Sequence, residues 1–538
     1  MPLKPGRLAI GKALGTLATF AFWCYFLWRA LGAFSPSSQI NTVAFNSDSA
    51  IPVLMSNDER PLTIFNRYYY AADRWGAWPF LGTRLVAHFT GYRWTGESVF
   101  AVQCVWLFVG AAVFAWLSRS DAVVVALVYL IALCLHRESR HLIFELSQIY
   151  AWQTTAIILS WYCLRRLFDG YLAATGNAER LKPLVWLVPT LVFSFLAIWS
   201  SVASALFLAF VLTLEALRAW LRRPGHVGKT FLAVYALGCL TIGTAALLEL
   251  LQKTSYRRFS LRHFGSSYAT HFGFDTGHLN ANLGAQLQHL DKLSWWPLYA
   301  VPTAALLGLA CASLLAALWR KDRFLTALRA VLADDTALLA MGAYGLAALN
   351  FVLTVIVDHV RLNSYDDRYL ILTNLFAPVS GMLTIFVVLK IAMSSRLSPY
   401  VRPAFLLAAL ALLTLQFPAR GYSLQYQQLK DTALTLARKA PRGVLMGSYW
   451  DTYVFAGLQP EDTMIPVPVM GQVNRMPWTR KMVRRADQVV VVYRRVSPGA
   501  PVSPPQILRQ YGNTLKLIDA DWYATRQHAF ALYANERR

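Results

Sequence analysis

The chain has 538 residues, of which 56% are hydrophobic and 15% charged, with a mean hydropathy of +0.40. Soluble domains carry nearer a quarter of charged residues, so this balance excludes an ordinary soluble protein and predicts one that crosses a membrane many times. A net charge of +23 would point to nucleic acid in a soluble chain; here the basic residues flank apolar runs, so anionic headgroups and lipid-linked phosphates are the expected partners and nucleic acid is not.

Crossing roughly 30 Å of hydrocarbon takes about 20 apolar residues. Such runs fall near 13–33, 98–118, 121–136, 144–164, 183–199, 201–217, 230–251, 297–319, 337–357, 369–390 and 403–417. They predict a mainly α, polytopic bundle of about eleven spans over residues 1–417, followed by a soluble domain over 418–538. The first run is long and aromatic and lacks a small-x-small cleavage site, so it is read as a retained anchor. Alternate loops collect Arg119, then Arg165, Arg166, Arg180 and Lys182, then Arg218, Arg222, Arg223 and Lys229. With Lys4, Arg7 and Lys12 at the start, these charges place the N-terminus in the cytoplasm and the tail outside. All six cysteines lie in apolar runs, so no disulfide framework is expected. No phosphate-binding glycine loop or HExxH pattern occurs.

The first outer segment, 34–97, carries Phe45-Asn46-Ser47-Asp48-Ser49-Ala50-Ile51. This reads as an N-capped short helix with Asp48 at or near the cap. The Tyr- and Trp-rich run 65–75 has the composition of a helix lying at headgroup level. Between the next outer span ends stands His136-Arg137-Glu138-Ser139-Arg140-His141, ionisable groups that are costly at that depth unless paired or used. The loop 252–295 opens on Lys253, Arg257, Arg258 and Arg262, interleaved with Tyr256 and Phe259, a patch suited to recruiting phosphate. Late in the chain, Asp366-Asp367-Arg368-Tyr369-Leu370 opens a span.

The tail alternates patterns. Residues 421–440 read as an amphipathic helix, 443–447, 488–493, 514–519 and 529–534 as strands, and Pro505–Arg509 as helix-like, which together predict a small α/β domain. Gly447 follows a strand as in nucleotide-binding turns, but Ser448-Tyr449-Trp450-Asp451 lacks the further glycines.

An acid shortly after the first span, an interfacial helix after it and a late Arg-Tyr at the outer start of a span resemble the glycosyltransferase C superfamily over about residues 1–415. The resemblance implies transfer of a sugar from a polyprenyl-phosphate carrier to a glycan, lipid or protein acceptor on the outer face of a bacterial inner membrane, with inversion. It makes Asp48 the base that takes the acceptor's proton, with Asp58, Glu59 and Asp73 as candidate supporting acids. Members often pair two acids where Asp48 is followed by Ser49, a departure from that pattern. Arg368 and Tyr369 would hold the carrier phosphate, helped by Lys253, Arg257 and Arg258, since a guanidinium grips phosphate bidentately. His136, Arg137, Glu138 and His141 would touch donor or acceptor. Beside these stand plainer roles: a helix-cap or solvated acid for Asp48, an interfacial anchor paired with Asp366 or Asp367 for Arg368, and an ion-pair cluster at 136–141. No cofactor or metal is expected, although His136, Glu138 and His141 could admit a divalent cation. A secondary transporter or lipid-linked glycan flippase, and a polymerase or ligase of surface polysaccharide, are the competing functions. A transporter should carry internal repeats and mid-membrane charges, and neither is seen.

Overall fold

A computed structural model describes residues 20–21, 23–38, 45–60, 68, 76–135, 142–174, 177–223, 228–259, 275–291, 300–305, 308, 334–357, 360, 367–392, 411, 423–459, 464–472, 476 and 478–536. Among these, six helices are long and apolar enough to cross a membrane by length and composition: Gly96–Trp116, Glu179–Ser200, Ser204–Arg222, Lys229–Tyr256, Asp335–Ile356 and Arg368–Lys390. They match six of the expected spans. The runs at 297–319 and 403–417 lie largely outside the described residues, and the run at 13–33 is described, and helical, at 20–21 and 23–33.

Two other runs add detail. The 121–136 run forms the helix Ala122–Leu135, whose 14 described residues, about 21 Å, are almost wholly buried among their neighbours. The 144–164 run begins its helix only at Tyr150, so Tyr150–Ala173 is helical and Glu145 sits in the preceding irregular segment.

The bundle is cemented by aromatic side chains and by close helix approach. Trp78, Trp106 and Trp152 form one cluster with ring centroids 5.4 to 5.7 Å apart. A Cβ on Gly342 would lie 2.3 Å from the Trp161 ring, so the bare backbone there lets the Asp335–Ile356 helix seat against Trp161. Helix direction sorts the chain into two ends. Gly96, Tyr150, Ser200, Ser204 and Ile356 stand at the end that carries Asp48, whereas Trp116, Ala173, Leu187, Arg222 and Asp335 stand at the other.

The tail packs the helix Leu424–Lys439 beside a six-stranded sheet of order β2-β1-β3-β6-β5-β4. Its strands are β1 Val444–Gly447, β2 Ile465–Pro468, β3 Gln488–Arg494, β4 Ile507–Gln510, β5 Asn513–Ala524 and β6 His528–Glu536. β1 lies parallel to both β2 and β3, and the remaining pairs are antiparallel. Val489–Val492 are all buried, the continuous apolar run of a strand covered on both faces. The expected helix at 505–509 is instead β4. It pairs through Gln510↔Asn513 across a two-residue loop in which Tyr511 (φ 54°) and Gly512 (φ 77°) both take the left-handed conformation that right-twisted hairpins favour. Gly447 proves to be a packing residue: a Cβ would collide with Val492, so the missing side chain serves strand contact rather than a phosphate.

Candidate active site

Asp48 is held where the first outer segment meets the tail. Asn46 caps the helix Ser47–Ser56 by accepting the Ser49 N–H at 2.8 Å, which puts Asp48 in the first turn rather than at the cap itself. A carboxylate there faces the positive end of the helix dipole. Ser47, Ser49 and residues 50–56 are buried, and Asp48 is half-buried. The fixed partner comes from the tail: the Tyr449 hydroxyl donates to Asp48 Oδ1, and Ser47 Oγ donates to the Tyr449 carbonyl at 2.9 Å.

A second carboxylate, Glu145, lies beside this pair. It accepts from Ser147 Oγ at 2.6 Å and hydrogen-bonds Asn46. Burial pushes the Glu145 carboxyl above its ordinary range, and the charge of Asp48 adds to that push against the hydrogen bonds that lower it. Asn46 thus caps the helix of one acid and bonds the other. Two neighbouring carboxyls in unlike environments can divide acid and base duties.

The residues singled out in the sequence scatter around this centre. Asp58 is taken by Arg60, at 2.5 Å, with Arg84 at 3.9 Å, and Arg60 stacks 3.4 Å over the Trp478 ring of the tail. Asp58 therefore ties the outer segment to the tail. Glu59 is exposed and paired with Arg93, whose hydrogen bond and charge hold its carboxyl below the usual range. Neither joins Asp48 as a supporting acid. Asp73, His136, Arg137, Glu138 and His141 lie outside the described residues. Lys253, Arg257 and Arg258 belong to the last turns of the helix Lys229–Phe259 rather than to a loop. That helix end reaches the Asp48 side of the bundle, since Glu249 accepts from Tyr68 at 2.9 Å and the Gly76 N–H, bridged to Tyr68, donates to Trp199.

Arg368 stands at the same end, in the single turn Asp367–Leu370 that opens the helix Ile371–Ala392. It is half-buried, its guanidinium carbon 5.0 Å from the Tyr369 ring centroid. Asn350 fixes the turn by donating to the Tyr369 carbonyl at 3.0 Å and to Thr373 at 2.9 Å.

Sequence reasoning missed Glu145 and Tyr449. Glu145 had a signal, a lone carboxylate in Leu142-Ile143-Phe144-Glu145-Leu146, masked by treating that stretch as a span. Tyr449 had none, because its role exists only once the tail docks. Beside the pair, a cleft of about 210 Å³ opens between the outer segment and the tail, with Phe45, Asn46, Trp450, Arg494 and His528 in its walls. Among the described residues no three metal-ligating side chains converge.

Neither a family model nor a curated protein matches the chain. Solved structures do resemble it. ArnT from Cupriavidus metallidurans bound to undecaprenyl phosphate aligns at 11% identity over 97% of each chain, with a TM-score of 0.49. The oligosaccharyltransferase of Archaeoglobus fulgidus in its apo form aligns at 11% identity over 88% of this chain and 69% of that one, TM-score 0.40. The archaeal oligosaccharyltransferase AglB of the same organism, in complex with an inhibitory peptide and a dolichol-phosphate, gives 13% identity, 88% and 69% coverage and a TM-score of 0.39. At such identities and scores the likeness assigns neither residues nor a substrate to this chain.

Proposed function

We propose that the protein is an integral-membrane glycosyltransferase that moves a sugar from a polyprenyl-phosphate carrier to a hydroxyl of a glycan, lipid or protein acceptor on the outer face of a bacterial inner membrane. Undecaprenyl phosphate and dolichol phosphate exemplify the carrier class. The observation that carries this reading is the pairing of Asp48 with Glu145 at the bundle end where Arg368 also stands. Transfer from a lipid-phosphate sugar needs a base for the acceptor proton and a cation for the departing phosphate. Asp48, half-exposed and oriented by Tyr449, has the access a base requires. Glu145, half-buried and with its carboxyl pushed above the ordinary range, holds Asn46 and the acid pair in register. Arg368 matches phosphate oxygens through a charge that does not titrate. Attack at the anomeric carbon then expels the polyprenyl phosphate in a single displacement, the inverting course that the resemblance implies.

Purified protein incubated with a panel of polyprenyl-phosphate sugars tests the reading: release of carrier phosphate with one donor is the supporting result. Arg368→Lys should weaken binding of that donor about tenfold, because a point charge lacks the planar two-toothed grip. Silence across the panel, or donor binding by Arg368→Lys and Arg368→Ala at the wild-type level, would remove the phosphate role. A transporter would instead move intact lipid-linked sugar between leaflets without cleaving it.

A further inference from the structure

We infer that the bundle end opposite Asp48 holds a second anion site, a pocket for a phosphate headgroup, independent of the transfer chemistry. The helix Tyr150–Ala173 runs between the two ends, 24 residues or about 36 Å, so the sites are separated by the thickness of the hydrocarbon. The pocket measures about 600 Å³, the size of a small-ligand site. Arg119, Arg166, Lys182, Arg222 and Arg223 converge on it from three stretches of chain, against one lining carboxylate, Asp169.

The floor of the pocket explains how so many cations are kept together. Arg165 and Arg218 are 2% and 0% exposed and share the fully buried Glu215, at 2.8 and 2.6 Å, while Arg218 also reaches Asp169 at 2.7 Å. Asp335 lies 3.4 Å from Arg165, and Trp161 donates to Glu215 at 2.6 Å, so every carboxylate of the floor is engaged. On the rim, Arg222 leans to Asp335 at 2.7 Å and Arg119 to Asp169 at 2.5 Å. Arg166, Lys182 and Arg223 form no ion pair among the described residues. Arg166 stacks 5.5 Å from the Trp186 ring centroid, and Arg223 donates to the Leu172 carbonyl at 2.6 Å, contacts that orient both without neutralising them.

Charges that merely set topology need only stand in the loops, where mutual repulsion spreads them. Here they are held pointing at one cavity, an arrangement whose repulsion an anion relieves. The surroundings favour a lipid source. Leu181, Val185 and Val188 beside the pocket are 64%, 67% and 65% exposed, an apolar wall suited to acyl chains, and Trp186 sits where indoles mark the headgroup level. Basic pockets between spans at the end that the basic loops assign to the cytoplasm are built to take anionic headgroups. The shared chemistry is an anionic phosphate group; a free phosphate is the other source.

The test uses the full chain in nanodiscs of phosphatidylcholine with or without phosphatidylglycerol, and separately in phosphatidylcholine with inorganic phosphate, with native mass spectrometry and thermal unfolding as readouts. The expected result is one retained phosphatidylglycerol per chain and a raised unfolding midpoint. Arg166→Gln with Lys182→Gln should weaken that binding roughly tenfold or more, because each surface cation near an anionic headgroup contributes on the order of 1 kcal/mol. An equal midpoint in phosphatidylcholine alone checks that the double variant folds; should it unfold, Lys182→Gln alone carries the comparison with a smaller loss. A response to inorganic phosphate as strong as that to the lipid supports the site with a soluble source. No response to either probe, or the same affinity in the variants as in wild type, overturns the proposal. Transfer activity enters none of these readouts, so they stand or fall apart from the catalytic reading.

Discussion

Glu145, half-buried, and Asp451, buried, are carboxylates at the junction of bundle and tail, and their surroundings push them in opposite directions. Burial alone would raise Asp451, but hydrogen bonds from His528 and Ser448 and the charge of Arg494 outweigh it and hold the carboxyl below its usual range. Its stabilisation is therefore present above the unfolded value, roughly 3.9, and is lost as pH falls through the folded value. Asp451→Asn should cost about 2 kcal/mol at pH 7, the scale of a buried charged hydrogen-bond network, with the difference closing below about pH 4 in thermal unfolding. Glu145 has the reverse sign. Its folded carboxyl binds protons more tightly than the unfolded one, so it destabilises as pH rises above the unfolded value, roughly 4.3. Glu145→Gln should then raise the unfolding midpoint at neutral pH while lowering turnover, a gain of stability paired with a loss of function. A neutral or stabilising Glu145→Gln with full turnover would leave Glu145 outside the site.

At the scale of elements, the decisive contact is between the helix Ser47–Ser56 and the tail helix Tyr449–Gly457. A Cβ on Gly457 would stand 2.6 Å from the Ala50 side chain, so the two helices touch through bare backbone. Gly457→Val should part them, break the Tyr449 bond to Asp48 and lower turnover about tenfold or more while the sheet stays folded, as protease resistance of the isolated tail region would report. The amphipathic helix Leu424–Lys439 and the strands β1, β3, β5 and β6 could be read from periodicity and from valine runs. The helix Tyr449–Gly457 could not, because it is buried on nearly every face and has no polar side to mark a period. β4 was misread because four residues with weak alternation carry little signal, and the turn that defines it has a tyrosine where glycine or asparagine is usual. The position of Asp48 was legible from its distance to the first span; its partners come from 97 and 401 residues away and were not.

For the whole molecule, the account depends on Asp48, Arg368 and the tail sharing one side of the membrane. The direction of the described helices sets Asp48 and Arg368 at one end and the buried Arg165–Glu215–Arg218 cluster at the other. A reporter active only in the cytoplasm, fused after Arg538, should give no signal, and one inserted between Arg223 and Gly228 should give a strong one. The most direct test of the central claim is the turnover of Asp48→Asn beside its donor binding and thermal midpoint. The amide keeps the shape of the side chain and can accept from Tyr449, so it preserves a structural role and abolishes a proton-accepting one. The account predicts turnover lowered roughly 10²–10⁴-fold with binding and midpoint near wild type; a folded Asp48→Asn protein that still turns over at the wild-type rate would contradict it.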